Sequence, residues 1–175
     1  MPEAYRLKIS LVDSEPEVWR QVCVPAQIAL SELHLIVQRA MGWQTLHDYA
    51  FRPRVGQPPC DVGQSLAAAI APLQTPVLYY TYDFTSGWLH RLEAQAVTVD
   101  HLLPTCEDGA AACPPEGAGG VWGYDELLER LEDSDDPDYM DLIEKYGDFD
   151  PDAFDLADAK ARLALLAPGE QLNES

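Results

Sequence analysis

Two thiols, two imidazoles and one carboxylate stand beside aromatic or turn residues in this chain, in positions that could build a reactive or ligand-binding site. Cys106 and Cys113 are followed by the diproline Pro114-Pro115, by Glu116, and by a glycine-rich run that ends in Trp122 and Tyr124. His47 follows Gly42-Trp43, and His90 follows Trp88, a few residues beyond Tyr82 and Asp83. Thiolate and imidazole are zinc donors, so Cys106, Cys113, His47 and His90 form a candidate tetrahedral set for a divalent metal. The spacing supports it weakly. Six residues separate the two cysteines, where zinc knuckles typically leave roughly two to four. Inert thiols buried for packing give the same pattern. His90, grouped with Trp88, Tyr82 and Leu92, reads first as a hydrogen-bonded core histidine and second as a general base or ligand tuned by burial. His47 sits in a turn and is expected to be more accessible.

The elements that must position these groups follow from periodicity. Tyr5, Leu7, Ile9 and Leu11 alternate with polar residues as a half-buried strand does, and Val18 to Val24 returns beside it after Glu15-Pro16-Glu17. Leu33, Ile36, Val37, Ala40 and Met41 form a helical stripe over 31–41, with Ser31 as N-cap and Gly42 as the glycine that ends the helix. His34 lies on the flank of that stripe and is expected to be solvated or partly buried. A third strand is expected near 48–54 and a short helix over Leu66 to Ile70, within a Pro/Ala-rich connection, 55–76, expected to be peripheral. Residues 77–97 read as a hairpin with a three-residue loop, Thr85-Ser86-Gly87. That register places Leu78, Tyr80, Tyr82 and Phe84 opposite Ala94, Leu92, His90 and Trp88, and points Asp83 to the other face, near Leu89 and Arg91. The stretch 106–124 shows neither period and reads as one long functional loop. Three acidic helices are expected after it, the last capped by Asp155.

At 175 residues and 47% hydrophobic, the chain is expected to fold as a single domain, with 167–175 a frayed tail. The formal net charge of −19 disfavours direct binding to nucleic acid or to anionic membranes. It is compatible with a basic protein partner, a divalent cation, or mimicry of DNA in a basic groove. No secretory leader is expected, and the sequence holds no apolar run of the roughly 20 residues needed to cross a bilayer. Four cysteines are too few for a disulfide scaffold of this size, so a cytoplasmic location is expected. The acidic run from Asp148 fails as a calcium loop, with Ala153 and Ala159 where an EF-hand needs glycine and glutamate. Phosphate-loop, dinucleotide, nucleophile-elbow and His-Glu-x-x-His signatures are absent.

Four segments together resemble the plasmid pRiA4b ORF-3-like family. They are Tyr5-Arg-Leu-Lys-Ile with Glu17-Val-Trp19-Arg20; Leu33-His34 through Gly42-Trp43, His47 and Phe51; Tyr82-Asp83-Phe84 with Trp88 and His90; and Cys106 through Cys113-Pro114-Pro115-Glu116 to Trp122-Gly123-Tyr124. Phe149-Asp-Pro151-x-x-Phe154 closes the match. The resemblance implies one α+β domain found on plasmids and chromosomes and carries no stated activity. Some relatives bear a label linking them to a transposon resolvase, but no basic helix-turn-helix supports it in this chain. Three positions depart from the family pattern: Ser86 and Gly117 stand where a carboxylate is usual, and Tyr49 where a second histidine is common.

The expectation is therefore an α+β domain, an antiparallel sheet of four or five strands with a covering helix and C-terminal acidic helices. Its leading function is an interaction module that takes a protein or peptide in an aromatic groove beside 106–124. The candidate groove residues are Trp43, His47, Tyr82, Asp83, Trp88, His90, Glu116, Trp122 and Tyr124. The alternatives are a small metal-dependent enzyme or metalloprotein using the His, Cys and Glu residues, and an acidic DNA mimic.

Overall fold

The computed structural model describes residues 3–101 and 103–166; the expected frayed tail, 167–175, lies outside them. Six strands form one antiparallel sheet: β1 (Ala4–Leu11), β2 (Trp19–Pro25), β3 (Tyr49–Arg52), β4 (Val77–Tyr82), β5 (Trp88–Val97) and β6 (Thr105–Ala110), in the order β3-β4-β5-β1-β2-β6. The helices are α1 (Leu30–Met41), α2 (Leu66–Ile70), α3 (Gly120–Leu131), α4 (Tyr139–Tyr146) and α5 (Leu156–Ala164), with a 3-10 turn at Glu116–Ala118. The α+β class is as expected; the sheet has one strand more than the upper expectation.

Strand alternation builds the core. Leu7, Ile9 and Leu11 of β1 face the same side as Val22 and Val24 of β2 and as Leu92, His90 and Trp88 of β5, and all are buried. Leu33, Ile36, Val37, Ala40 and Met41 of α1 cover that face, and Ala159 and Leu163 of α5 close it over β6 and α1. Tyr79, Thr81, Leu89 and Arg91, which point the other way, are only half-buried.

Four expectations need correction. Ser31 does not cap α1. The preceding residue is Ala29, without a side-chain cap, and the first amides of the helix are satisfied by backbone carbonyls: Leu30 donates to Gln64 and Ser31 to Val62. The segment 55–76 is consequently a clamp on the helix entry, and its Leu66 is fully buried. Only α2 has the side-chain cap that serine chemistry offers, from Ser65 to the Ala68 amide.

The hairpin register is shifted by two residues. Leu78 lies opposite Leu92, Tyr80 opposite His90 and Tyr82 opposite Trp88. Asp83 causes the shift by taking a left-handed φ of 59°, which ends the strand early and makes a five-residue turn. Its carbonyl accepts from Gly87 N at 2.6 Å, and its Oδ1 accepts from Thr85 N at 3.2 Å and Ser86 N at 3.4 Å. A shift of two keeps every strand side chain on its expected face, but Asp83 leaves the alternation and Phe84 moves into the turn.

Nor is 106–124 a single loop. Its start is β6, whose pairing with β2 contains a bulge: Gln21 faces Asp108 and Val22 faces Cys106, leaving Glu107 as the extra residue. Glu107 then binds Arg6 through two bonds, of 2.7 and 2.9 Å.

Candidate functional site

An aromatic wall supports the site from beneath. The helix exit at Gly42, with φ 109° and its amide bonded to Gln38 O, turns Trp43 inward. The Trp43 ring packs against Trp88 at 4.9 Å and Tyr82 at 5.5 Å between centroids. Its Nε1 donates to His90 Nε2 at 3.1 Å, while His90 Nδ1 lies 3.1 Å from Tyr80 O. An indole N–H only donates and a carbonyl only accepts, so His90 is the neutral tautomer with its proton on Nδ1. Burial pushes its pKa down to about 4. His90 is thus a locked core histidine whose one lone pair is occupied.

A second polar chain lies beside it. Tyr80 OH accepts from Gln38 Nε2 at 2.9 Å and is hydrogen-bonded to His34 Nδ1 at 2.7 Å, while Gln38 Oε1 accepts from Thr45 N at 2.9 Å. His34 stacks on Tyr49, with ring centroids 3.6 Å apart. It is a buried residue with its pKa down to about 4, again through burial, and not the solvated flank residue its position suggests.

Above the wall, three groups converge. Tyr82 OH accepts from Leu46 N at 2.9 Å and donates to the Glu116 carboxylate at 3.2 Å, and Gln44 N also donates to Glu116. His47 Nε2 lies 3.7 Å from Glu116 Oε2 and 3.8 Å from Asp83 Oδ2. Both distances exceed a direct hydrogen bond. Burial pushes the Asp83 carboxyl up, but bonds from Ser86 and Thr85 and the nearby His47 outweigh it and hold the pKa below its ordinary value. The arrangement is a pair of carboxylates aiming one oxygen each at a half-exposed imidazole.

Glycine 120 sets how closely the two halves approach. A Cβ there would stand 2.4 Å from Ser86 O, and its φ is +79°. Gly120→Ala is expected to cost about 2 kcal/mol, from backbone strain and displacement of the turn. Urea unfolding measures this; a loss below about 0.5 kcal/mol, within the range of surface substitutions, means that the turn yields freely.

The proposed groove residues divide by burial. Trp43, Tyr82, Trp88, His90 and Tyr124 are core and support the site from beneath, while Trp43 also lines a cavity of about 430 Å³ with Leu35, Arg39 and Gln44. His47, Asp83 and Glu116 form the cluster. Trp122, 80% exposed, stands on α3 beside a cavity of about 370 Å³ shared with Asp13, Glu15 and Asp125.

The Cys106, Cys113, His47 and His90 metal set is not assembled. Both nitrogens of His90 are engaged, and Cys106 sits in β6 with its Sγ against Asp108 O at 3.5 Å. Cys113 packs beneath Gly42. Burial raises both thiol pKa values, so neither is a ready thiolate. Among the described residues, no three His, Cys, Asp or Glu side chains are grouped to hold a metal ion.

Of the departures from the family pattern, Ser86 bonds the Asp83 carboxylate and Gly117 follows Glu116, so both adjoin the cluster, whereas Tyr49 serves the His34 stack. Arg20, part of a segment that carries the resemblance, has a role that motif reading did not assign to it. Its guanidinium is buried and donates to Ala40 O at 2.9 Å, Trp19 O at 2.8 Å and Ala110 O at 3.0 Å, and it lies 4.3 Å from the Phe154 ring centre. The signal was available: Val18, Arg20, Val22 and Val24 alternate, which puts Arg20 on the core face.

Comparison with known proteins agrees with this fold. The chain is 37% identical over 161 residues to the uncharacterised protein y4hQ of Sinorhizobium fredii, covering 85% of this chain and 83% of the relative. The crystal structure of a protein of unknown function from Methanosarcina mazei Go1 superposes with a TM-score of 0.76 at 31% identity, over 89% of this chain and 96% of the other. No helix among the described residues is long and apolar enough to cross a membrane. With residues 3–158 matching the family's sequence pattern, the chain belongs to the plasmid pRiA4b ORF-3-like proteins.

Proposed function

We propose that the protein is an interaction module that receives a cationic group of a protein or peptide partner, a lysine or arginine head, between Asp83 and Glu116. The observation that carries this is the pair of distances to His47 Nε2, 3.7 Å from Glu116 and 3.8 Å from Asp83. The other oxygen of each carboxylate is tied to backbone amides. An ammonium or guanidinium bears several N–H donors and would reach both His47-facing oxygens at once, the Glu116 one sharing its lone pairs with Tyr82 OH at 3.2 Å. Leu46 and Phe84, 66% and 50% exposed, flank the cluster in sequence and supply apolar area for the rest of a partner, as does Trp122. The net charge of −19 steers a basic partner toward the surface.

The DNA-mimic alternative draws less support, because many of the acidic side chains serve local turns. Asp133, Asp150 and Asp155 accept from amides two or three residues ahead, and Asp136 pairs with Arg130.

Fluorescence anisotropy with labelled lysine-rich and arginine-rich peptides tests the reading. Glu116→Gln removes one charge from a large excess, so nonspecific attraction is nearly unchanged, while specific binding is expected to weaken at least about tenfold, or about 1.4 kcal/mol. Trp122→Ala is expected to weaken binding without lowering the unfolding midpoint. Binding by both variants that matches wild type would overturn the proposal.

A further inference from the structure

On the sheet face opposite α1, two clefts of about 310 and 280 Å³ meet at Tyr79. Arg52 lines the first, and Arg54 and Arg91 line the second; no Asp or Glu lines either. The sequence has 30 Asp and Glu against 11 Lys and Arg, so three guanidiniums gathered without a lining carboxylate run against the composition of the whole molecule. Alternation explains the placement. Arg52 lies opposite Tyr79, and Tyr79 lies opposite Arg91, so the three project from adjacent strands on the same side. Arg54 joins them from the loop after β3.

The charges differ in how far they are already used. Arg91 bonds Glu93 at 2.9 Å, outside the clefts. Arg52 has its guanidinium 5.9 Å from the Phe84 ring centre, and among the described residues neither Arg52 nor Arg54 has an ion-pair partner. The two clefts also differ in chemistry. The first adds Val55 and Leu89 to the Tyr79 ring and is the more apolar; the second pairs two arginines with the hydroxyl of Thr75 and the amide of Gln74.

We propose that this double cleft binds a small phosphorylated ligand with a planar ring, of the size of a nucleoside monophosphate. The ring lies on Tyr79 between Val55 and Leu89, and the phosphate takes Arg54 and Arg91. An aromatic side chain on an open sheet is a stacking platform for such rings, and guanidinium forks match phosphate oxygens. Together the clefts fall within the range of small-ligand sites. A nucleic-acid strand is a poorer ligand than a monomer, because each added phosphate is repelled by the molecule's overall negative charge.

Calorimetric titration of the full chain with inorganic phosphate, adenosine and adenosine monophosphate separates the parts. The monophosphate is expected to bind at least about tenfold more tightly than either fragment. Arg54→Gln, at an exposed position, is expected to remove most of that advantage while leaving adenosine binding unchanged; Tyr79→Ala is expected to weaken adenosine and the monophosphate alike. Glu116→Gln is expected to leave all three unchanged, which keeps this site distinct from the peptide site. Circular dichroism confirms that each variant is folded. No saturation by the monophosphate below about 5 mM, or equal affinity for it in wild type and Arg54→Gln, overturns the proposal.

Discussion

Arg20→Ala is expected to lower the unfolding free energy by about 3–5 kcal/mol, the largest loss among the substitutions considered for this fold. The reason is positional. The last carbonyls of a helix lack intrahelical partners, and at the end of α1 Arg20 binds Ala40 O at 2.9 Å and Met41 O at 3.4 Å. The same guanidinium holds Trp19 O and Ala110 O, which face each other, so it ties α1 to both strands at one end of the β2–β6 pairing. Phe154 covers the other face of the group. Burial lowers the pKa of Arg20 to about 10, which leaves it charged at neutral pH. Its charge is met by carbonyl dipoles at the negative end of the helix. Removing it takes a donor from each of these carbonyls, of which Ala40 O keeps Arg162 Nη2 at 3.4 Å, and opens a gap beside Phe154. Arg20→Lys keeps the charge but not the planar fork and is expected to recover less than half of the loss. Urea unfolding followed by tryptophan fluorescence measures both. A loss under about 1 kcal/mol for the alanine variant would show that water or neighbouring groups replace the guanidinium.

Periodic elements were legible and contact-dependent ones were not. The stripe of α1 and the alternation of β1 emerge because one face of each is continuously apolar, and α2 falls on Leu66–Ile70 as read. β6 was hidden because Thr105-Cys-Glu-Asp-Gly-Ala has few strand-forming side chains. It is extended because β2 supplies partners, and the bulge at Glu107 breaks any alternation that remained. At the site, Asp83, His47 and Glu116 were each singled out, but their convergence was not legible. It depends on a left-handed residue in the β4–β5 turn and on Gly120 meeting Ser86 O, a contact between segments far apart in sequence. Aromatic clustering misled in one respect: Trp88 and Tyr124 marked the core, whereas Trp122 and Phe84 are exposed.

Acidification from pH 7 to pH 4 is expected to cost about 3 kcal/mol of stability through His90 alone. In the folded chain His90 has a pKa of about 4 against an ordinary value of 6.5. Below about 6.5 the unfolded chain takes up this proton while the native chain does not, so stability falls with pH and levels off only below about 4, where both forms are protonated. The cause is geometric as well as solvational. A proton on His90 Nε2 would face the Trp43 Nε1 donor, 3.1 Å away, and convert a hydrogen bond into a repulsive contact. His34 shifts in the same direction, with its Nδ1 held by Tyr80 OH. Asp83, Glu107 and Asp136 have lowered pKa values, so their contributions are lost in a lower window, as pH falls through those depressed values. Relief of repulsion among the many carboxylates acts in the opposite direction, which makes the difference between two variants the useful quantity. His90→Gln preserves an acceptor for Trp43 and a donor for Tyr80 O without a titrating group. Its unfolding free energy, compared with wild type at pH 7, 5.5 and 4.5, is expected to converge on the wild-type value as pH falls. Parallel curves would show that His90 accepts its proton without strain in the folded protein, and that the Trp43 bond does not fix its tautomer.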